Sequence, residues 1–256
     1  MYLRIVQLRV REGQEAAFTR FYEERVMPAL ATTEGCLYAG LLAPWRGDAH
    51  QSLTIWESPA HAAAYAAKGL YHQLLSQSAP MLADRSEWRL RPADPLETAD
   101  PSRVEPPSEG WTIGADDGSA ALDSAGRPPF VRIVALKVAP GRFAEFQAIY
   151  RGEVMPAVRA VEGCRGVLLA ESADESRVLS ITLWDREEDA VRYEMSGEYQ
   201  RLTLRLRETF APVHDWGIGL SGRAAQPGSP QVTSYELVRG RRLAEDSETT
   251  TLPPVG

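Results

Sequence analysis

The sequence predicts an α+β fold made of two tandem ferredoxin-like β-α-β-β-α-β modules packed sheet to sheet. Three observations predict it: an internal repeat, the order of elements within each repeat, and a first strand that is apolar on both faces. Shifting the sequence by 128 positions aligns residues 2–88 with 130–216 without a gap, with 27 identities in 87 positions, far more than chance allows. Arg4-Ile5-Val6 falls on Arg132-Ile133-Val134, Val26-Met27-Pro28-Ala29 on Val154-Met155-Pro156-Ala157, and Glu34-Gly35-Cys36 on Glu162-Gly163-Cys164. Trp56, Tyr65, Gly69, Tyr71 and Trp88 recur as Trp184, Tyr193, Gly197, Tyr199 and Trp216.

Each module is read in order. Residues 2–10 alternate as a strand, with Leu3 and Ile5 on one face and Val6, Leu8 and Val10 on the other. A strand apolar on both sides is covered on both sides. Gly13 breaks it. Residues 14–31 follow helical spacing, with Phe18, Phe21, Tyr22, Val26 and Leu30 on one face. Pro28 is expected to kink or end that helix. Gly35 opens a second strand to about Leu42, and Ser52 to Trp56 form a third. Ser58-Pro59 is a helix start, a capping hydroxyl followed by proline at the first helical position. Gly69 ends that helix. A further helix is expected over 70–82 and a last strand near 85–91. A four-stranded sheet carries helices on one face only, so the other face finds its cover in the second module, as in a symmetric dimer.

The resulting division is 1–91 for the first module, 92–129 for a linker with seven prolines, 130–220 for the second module and 221–256 for a polar tail. Within the linker Trp111-Thr112-Ile113 is placed to dock on the surface. The tail offers one strand, Val232 to Val238, and 243–256 is expected to be poorly ordered.

Composition narrows the function. The chain holds 28 Lys and Arg against 35 Asp and Glu, a net charge of −7, which argues against a nucleic-acid partner. No apolar run approaches a membrane span, and the amino terminus reads as a strand and not as a secretory signal. A cytoplasmic protein is the expectation. The two cysteines, Cys36 and Cys164, are repeat equivalents, expected as small apolar residues at strand starts and not as a metal site.

The two-faced first strand, the "EGC" opening strand two, and "TIWES" and "TLWDR" with tryptophan ending strand three resemble the antibiotic-biosynthesis monooxygenase superfamily, whose members are dimeric α+β barrels. The resemblance covers both modules. The tandem arrangement looks like the ring-opening oxygenases of angucycline pathways. It implies an oxygenase tailoring an aromatic polyketide, by quinone-forming hydroxylation or oxidative C–C ring opening. Dioxygen is then co-substrate, reduced FAD or FMN a diffusible cofactor, and a flavin reductase a partner. No glycine-rich dinucleotide motif is present to hold flavin tightly. A polyketide cyclase and a non-enzymatic small-molecule binding or stress protein are the alternatives on this fold. The resemblance also implies that haem-degrading members carry a histidine ten residues after the aromatic of the second helix. Here those positions are Leu75 and Thr203, so haem is not expected. The molecule is expected as a monomer with an internal pseudo-dimer, or as a homodimer of it.

Candidate site residues come from asymmetry between the repeats. His50, His61 and His72 face Val178, Asp189 and Gln200 in the second module. Histidine changes charge near neutral pH and suits a base that ionises a phenol, so these three are the catalytic candidates and the first module the expected working half. His50 shares strand parity with Ser52, Thr54 and Trp56. Trp45, Trp56, Tyr65, Tyr71 and Tyr22 are the substrate-binding candidates, as aromatic walls and phenolic hydroxyls. Arg4 and Arg132 read as strand-end ion-pair residues, and His214-Asp215 as a candidate oriented imidazole.

Overall fold

The computed structural model describes residues 1–45, 49–67, 69–83, 106, 108–123, 127–211 and 231–243. The first module holds β1 (Tyr2–Arg9), a helical rod α1, β2 (Cys36–Pro44), β3 (Ala49–Trp56), α2 (Pro59–Ala67) and α3 (Leu70–Ser78). β4 (Ser108–Asp117) follows. The second module repeats the pattern with β5 (Phe130–Lys137), a rod α4, β6 (Cys164–Glu171), β7 (Arg177–Trp184), α5 (Glu187–Met195) and α6 (Glu198–Leu206), and β8 (Gln231–Arg242) comes last. The repeat seen in sequence is exact in register: Tyr2 pairs with Trp56 across β1 and β3, as Phe130 pairs with Trp184 across β5 and β7.

The eight strands close into one barrel in the order β1-β3-β2-β8-β5-β7-β6-β4. The two sheets face each other as expected, but they are also hydrogen-bonded into one. β4 lies antiparallel to β1 of the first module and β6 of the second. β8 does the same between β5 and β2. Two sequence expectations are therefore corrected. The segment 92–129 is not a plain linker, since it carries β4, and the tail strand extends beyond Val232–Val238 in both directions. Both bridges satisfy edge strands that would otherwise expose unpaired backbone groups. The strand expected near 85–91, with Trp88, and the residues Trp216 and His214-Asp215 lie outside the described residues.

An eight-stranded barrel is just wide enough for side chains to fill it. Here Leu3, Ile5, Leu53, Ile55, Val131, Ile133, Leu179 and Ile181 point inward with Trp111 and Leu237 as a packed core. The opposite parity faces the helices, giving one apolar layer around Phe146 and Trp184 in the second module and matching layers around Phe18 and Trp56 in the first. Strand periodicity thus creates a dry interior, and leaves any cavity to the space between sheet and helices.

Pro28 does not end its helix. α1 runs as Glu15–Phe21, a π-helical turn Tyr22–Val26, and Met27–Ala31. The Met27 N–H reaches back five residues to the Tyr22 carbonyl, so the ladder widens just before the residue that has no N–H to give. α4 is built the same way, as Phe143–Ile149, a π turn Tyr150–Val154, and Met155–Arg159 with Pro156 just after the π turn. Gly69 and Gly197 have φ of 79° and 82° and let the chain turn between α2 and α3 and between α5 and α6.

Trp111 is 2% exposed in the barrel core, with the Arg177 guanidinium 5.0 Å from its ring centre. Trp111→Ala is expected to cost about 3–5 kcal/mol in urea unfolding followed by circular dichroism. A change under 1 kcal/mol, on the order of a surface substitution, would show that β4 does not hold the barrel closed.

Candidate functional site

Each module encloses a cavity between its sheet and its helices. The first measures about 500 Å³ including its mouth, the second about 470 Å³. Their linings are largely repeat equivalents. In the first, the polar groups are Arg4 from β1, Tyr22 from the π turn of α1, Ser52 and Thr54 from β3, Tyr65 from α2, and Tyr71 and Ser78 from α3. In the second they are Arg132, Tyr150, Ser180, Thr182, Tyr193, Tyr199 and Thr203. Val6, Leu8, Phe18, Leu30 and Leu74 supply much of the apolar wall of the first cavity.

Strand parity puts Arg4 here. It alternates with Leu3 and Ile5, which enter the barrel, so its side chain points under the helices with Val6 and Leu8. Its guanidinium lies 4.6 Å from the Tyr71 ring centre. Tyr71 meets Tyr65 edge-on at 5.9 Å, and Tyr65 lies 5.2 Å from Trp56. The second module reproduces the series, with Arg132 4.7 Å from Tyr199, Tyr199 edge-on to Tyr193, and Tyr193 stacked on Trp184. A cation stacked on an aromatic face is stabilised while its N–H edges stay available to a ligand.

The hydroxyls are fixed by their neighbours. The Tyr22 hydroxyl donates to the Gly40 carbonyl at 3.1 Å and lies 2.9 Å from the Ser52 hydroxyl. The Tyr150 and Ser180 hydroxyls are 2.7 Å apart. The indole N–H of Trp56 donates to Thr54 Oγ1 at 2.9 Å, and that hydroxyl donates to the Arg4 carbonyl. Burial pushes the Tyr22 phenol well above the ordinary tyrosine range, against the pull of its Ser52 hydrogen bond. Burial also raises Tyr65, opposed by the Arg4 charge. Both phenols therefore stay protonated at neutral pH; the Tyr22 proton is given to the Gly40 carbonyl, and Tyr65 is the one of the two left to donate to a ligand oxygen.

The other candidates lie elsewhere. His50 is on the face shared with Ser52 and Thr54, but it sits behind Phe18, ring centres 6.3 Å apart, outside the cavity lining. His61 Nδ1 is 3.1 Å from the Ser58 hydroxyl and 3.6 Å from Glu57, and its ring closes over Gly35. His72 is exposed beside Tyr71. Trp56 is fully buried behind Tyr65 and Thr54, supporting the wall without lining it. Trp45 is 46% exposed and edge-on to Phe130 at 5.6 Å, so it joins the two modules at the barrel rim and does not roof the first cavity. Tyr22, Tyr65 and Tyr71 are the candidates the fold brings together. Sequence reasoning passed over Arg4, Ser52 and Thr54. The available signal was a set of polar residues on the helix-facing parity of the strands, kept in both repeats where apolar side chains would pack as well. The thiol of Cys36 is buried and pushed up to about 12, which leaves it unreactive, and Cys164 is raised by burial too.

Residues 1–75 and 129–203 each match the model of the antibiotic biosynthesis monooxygenase family. The chain belongs to that family. Among solved structures of similar fold, a Fusobacterium nucleatum protein provisionally named a monooxygenase has a TM-score of 0.63 at 8% identity, covering 94% of each chain. A Lactobacillus acidophilus protein with the same provisional name has a TM-score of 0.58 at 10% identity, covering 91% of this chain and 92% of its own. A structure described as an anthrone oxidase-like protein has a TM-score of 0.58 at 16% identity over 95% and 94% of the two chains. These likenesses establish the fold alone. No curated protein matches the sequence. Among the described residues no helix is long and apolar enough to cross a membrane.

The raised phenols have a consequence for stability. A tyrosine whose folded pKa lies above its unfolded value of about 10 stabilises the fold fully below that pH. The contribution is lost as pH rises toward the folded value, because only the unfolded chain has released its proton. Burial raises Tyr22, Tyr65, Tyr150 and Tyr193 alike. Tyrosinate absorbance in alkaline titration is expected to show a late, cooperative step coinciding with loss of circular dichroism. Smooth titration of all tyrosines before unfolding would contradict the buried placement.

Proposed function

We propose that this family member is an oxygenase of hydroxylated fused-ring aromatics of the aromatic-polyketide kind, with the first module's cavity as its reacting site. The observation that carries the reading is the Arg4 guanidinium at the polar end of an apolar cavity ringed by Tyr22, Tyr65 and Tyr71. A flat ring system fills the apolar part, and its ionised oxygen meets the cation and protonated phenols. The name of the anthrone oxidase-like structure suggests which substrate to try first.

An anthrone has a CH2 group across the ring from a carbonyl. Loss of one CH2 proton yields an aryloxide whose charge rests on the former carbonyl oxygen, next to Arg4. Among the described residues no histidine lines the cavity, so their contribution to ionisation is electrostatic: Arg4 lowers the pKa of the substrate itself, and the proton leaves through the mouth. The electron-rich ring then reduces dioxygen. The CH2 carbon loses two hydrogens and gains one oxygen atom, and the second oxygen atom leaves as water, so no external reductant is required. Oxidative ring opening would require two further electrons from a reduced flavin.

The test is oxygen uptake with 1,8-dihydroxyanthrone, measured above its uncatalysed oxidation. One dioxygen per quinone is expected, without stimulation by reduced flavin. Arg4→Leu is expected to lower kcat/KM about a hundredfold, in the range for loss of a preorganised oxyanion contact. His50→Ala and His72→Ala are expected to remain near wild type. Turnover without oxygen would favour a cyclase, and unchanged activity in Arg4→Leu would remove the reading.

A further inference from the structure

We infer that the second module's cavity is a ligand site in its own right, tuned to the neutral form of a hydroxyaromatic molecule while the first is tuned to the anion. This rests on reading the first cavity as a hydroxyaromatic site, and it adds a second site and the residue that separates the two.

Arg132 lines a cavity of about 470 Å³ including its mouth, is 3% exposed, and has its Nη2 buried without a hydrogen-bond partner. A buried guanidinium donor left unused is costly, and an oxygen acceptor in the cavity removes that cost. Tyr193 and Tyr199 stand beside it as Tyr65 and Tyr71 stand beside Arg4. The second cavity thus retains the complete recognition set of the first, including the cation, where a cavity kept only for packing would accept a leucine.

The two cations differ in what surrounds them. Glu194 Oε1 lies 3.6 Å from Arg132 Nη2, too far for a good hydrogen bond but close enough to offset the charge. The equivalent position in the first module is Ala66, and among the described residues no carboxylate pairs with Arg4. One turn later Glu198, which pairs with Arg201, replaces Leu70. Among the described residues, the polar end of the first cavity therefore carries a net positive charge, and that of the second has its charge largely offset by Glu194. Glu194 is not part of the cavity lining but lies against Arg132 Nη2, so an aryloxide in the second cavity meets a cation whose charge is already partly offset. A neutral phenol or quinone carbonyl accepts from Nη2 without drawing on that charge. The linings also exchange one hydroxyl: Thr203 stands in the second cavity where the first has Leu75, and Leu206 where the first has Ser78. Arg205 of α6 also clamps Glu153 of α4 with two hydrogen bonds of 2.8 and 2.9 Å. Gln77 and Arg25 stand at those positions in the first module and do not form that ion pair.

Isothermal titration of the full chain at neutral pH tests this, with naphthalene-2-sulfonate as a permanent anion and 2-naphthol as a neutral probe. The sulfonate is expected to bind one equivalent, lost in Arg4→Leu and kept in Arg132→Leu, while 2-naphthol binds two. Glu194→Ala is expected to open a second sulfonate site, and Ala66→Glu to weaken the first about tenfold, the equivalent of ~1.4 kcal/mol. Both substitutions sit on helix positions with solvent access, so the fold is retained. Two sulfonate equivalents in the unmodified chain, or one in Glu194→Ala, would overturn the inference and leave the oxygenase reading intact. Failure of both probes to bind would overturn both.

Discussion

β4 and β8 each hydrogen-bond to one strand of either module, and the barrel closes through them. Everything else in the molecule follows from that closure. A half-sheet alone would expose one apolar face and two unpaired edges. Closure buries Leu3, Ile5, Val131 and Ile133 in a common interior and leaves no free edge in the ring of eight strands. It also explains why the chain spends so much length between and after its modules: each bridging strand must leave one repeat and reach the other.

A filled barrel moves the chemistry outward. The interior is packed, so the cavities lie beneath the helices, where the other strand parity points. On β1 the change from Ile5 to Arg4 is a change from dry core to cavity wall, one residue along a strand. The π turns contribute to the same region. Each begins at the tyrosine, Tyr22 or Tyr150, whose hydroxyl reaches the serine of the third strand of its module. A backbone irregularity imposed by a proline thus coincides with the placement of a cavity hydroxyl.

Duplication gives two such cavities in one chain, and a single chain can alter one without the other. In a symmetric homodimer Glu194 and Ala66 would have to be the same residue. Fusion removes that constraint, so the cation kept in both repeats can act in different electrostatic surroundings.

The sequence by itself determined the doubled α+β module, the two-sided burial of β1, the helix starting at Ser58-Pro59 and the turns at Gly69 and Gly197. These depend on periodicity and backbone stereochemistry, which are local. It also nominated Tyr22, Tyr65 and Tyr71. It read Arg4 as a strand-end ion-pair residue and nominated the histidines, whereas Arg4 lines the first cavity and His50, His61 and His72 do not; a difference between repeats marks divergence and does not by itself mark a cavity. Only the tertiary structure decided which face of β1 meets open space, that His50 stops behind Phe18, that Trp45 packs on Phe130, and that residues 108–117 are a strand. Each depends on a partner distant in sequence: β4 has no strong apolar alternation of its own, and becomes a strand because β1 and β6 present unpaired edges on either side of it.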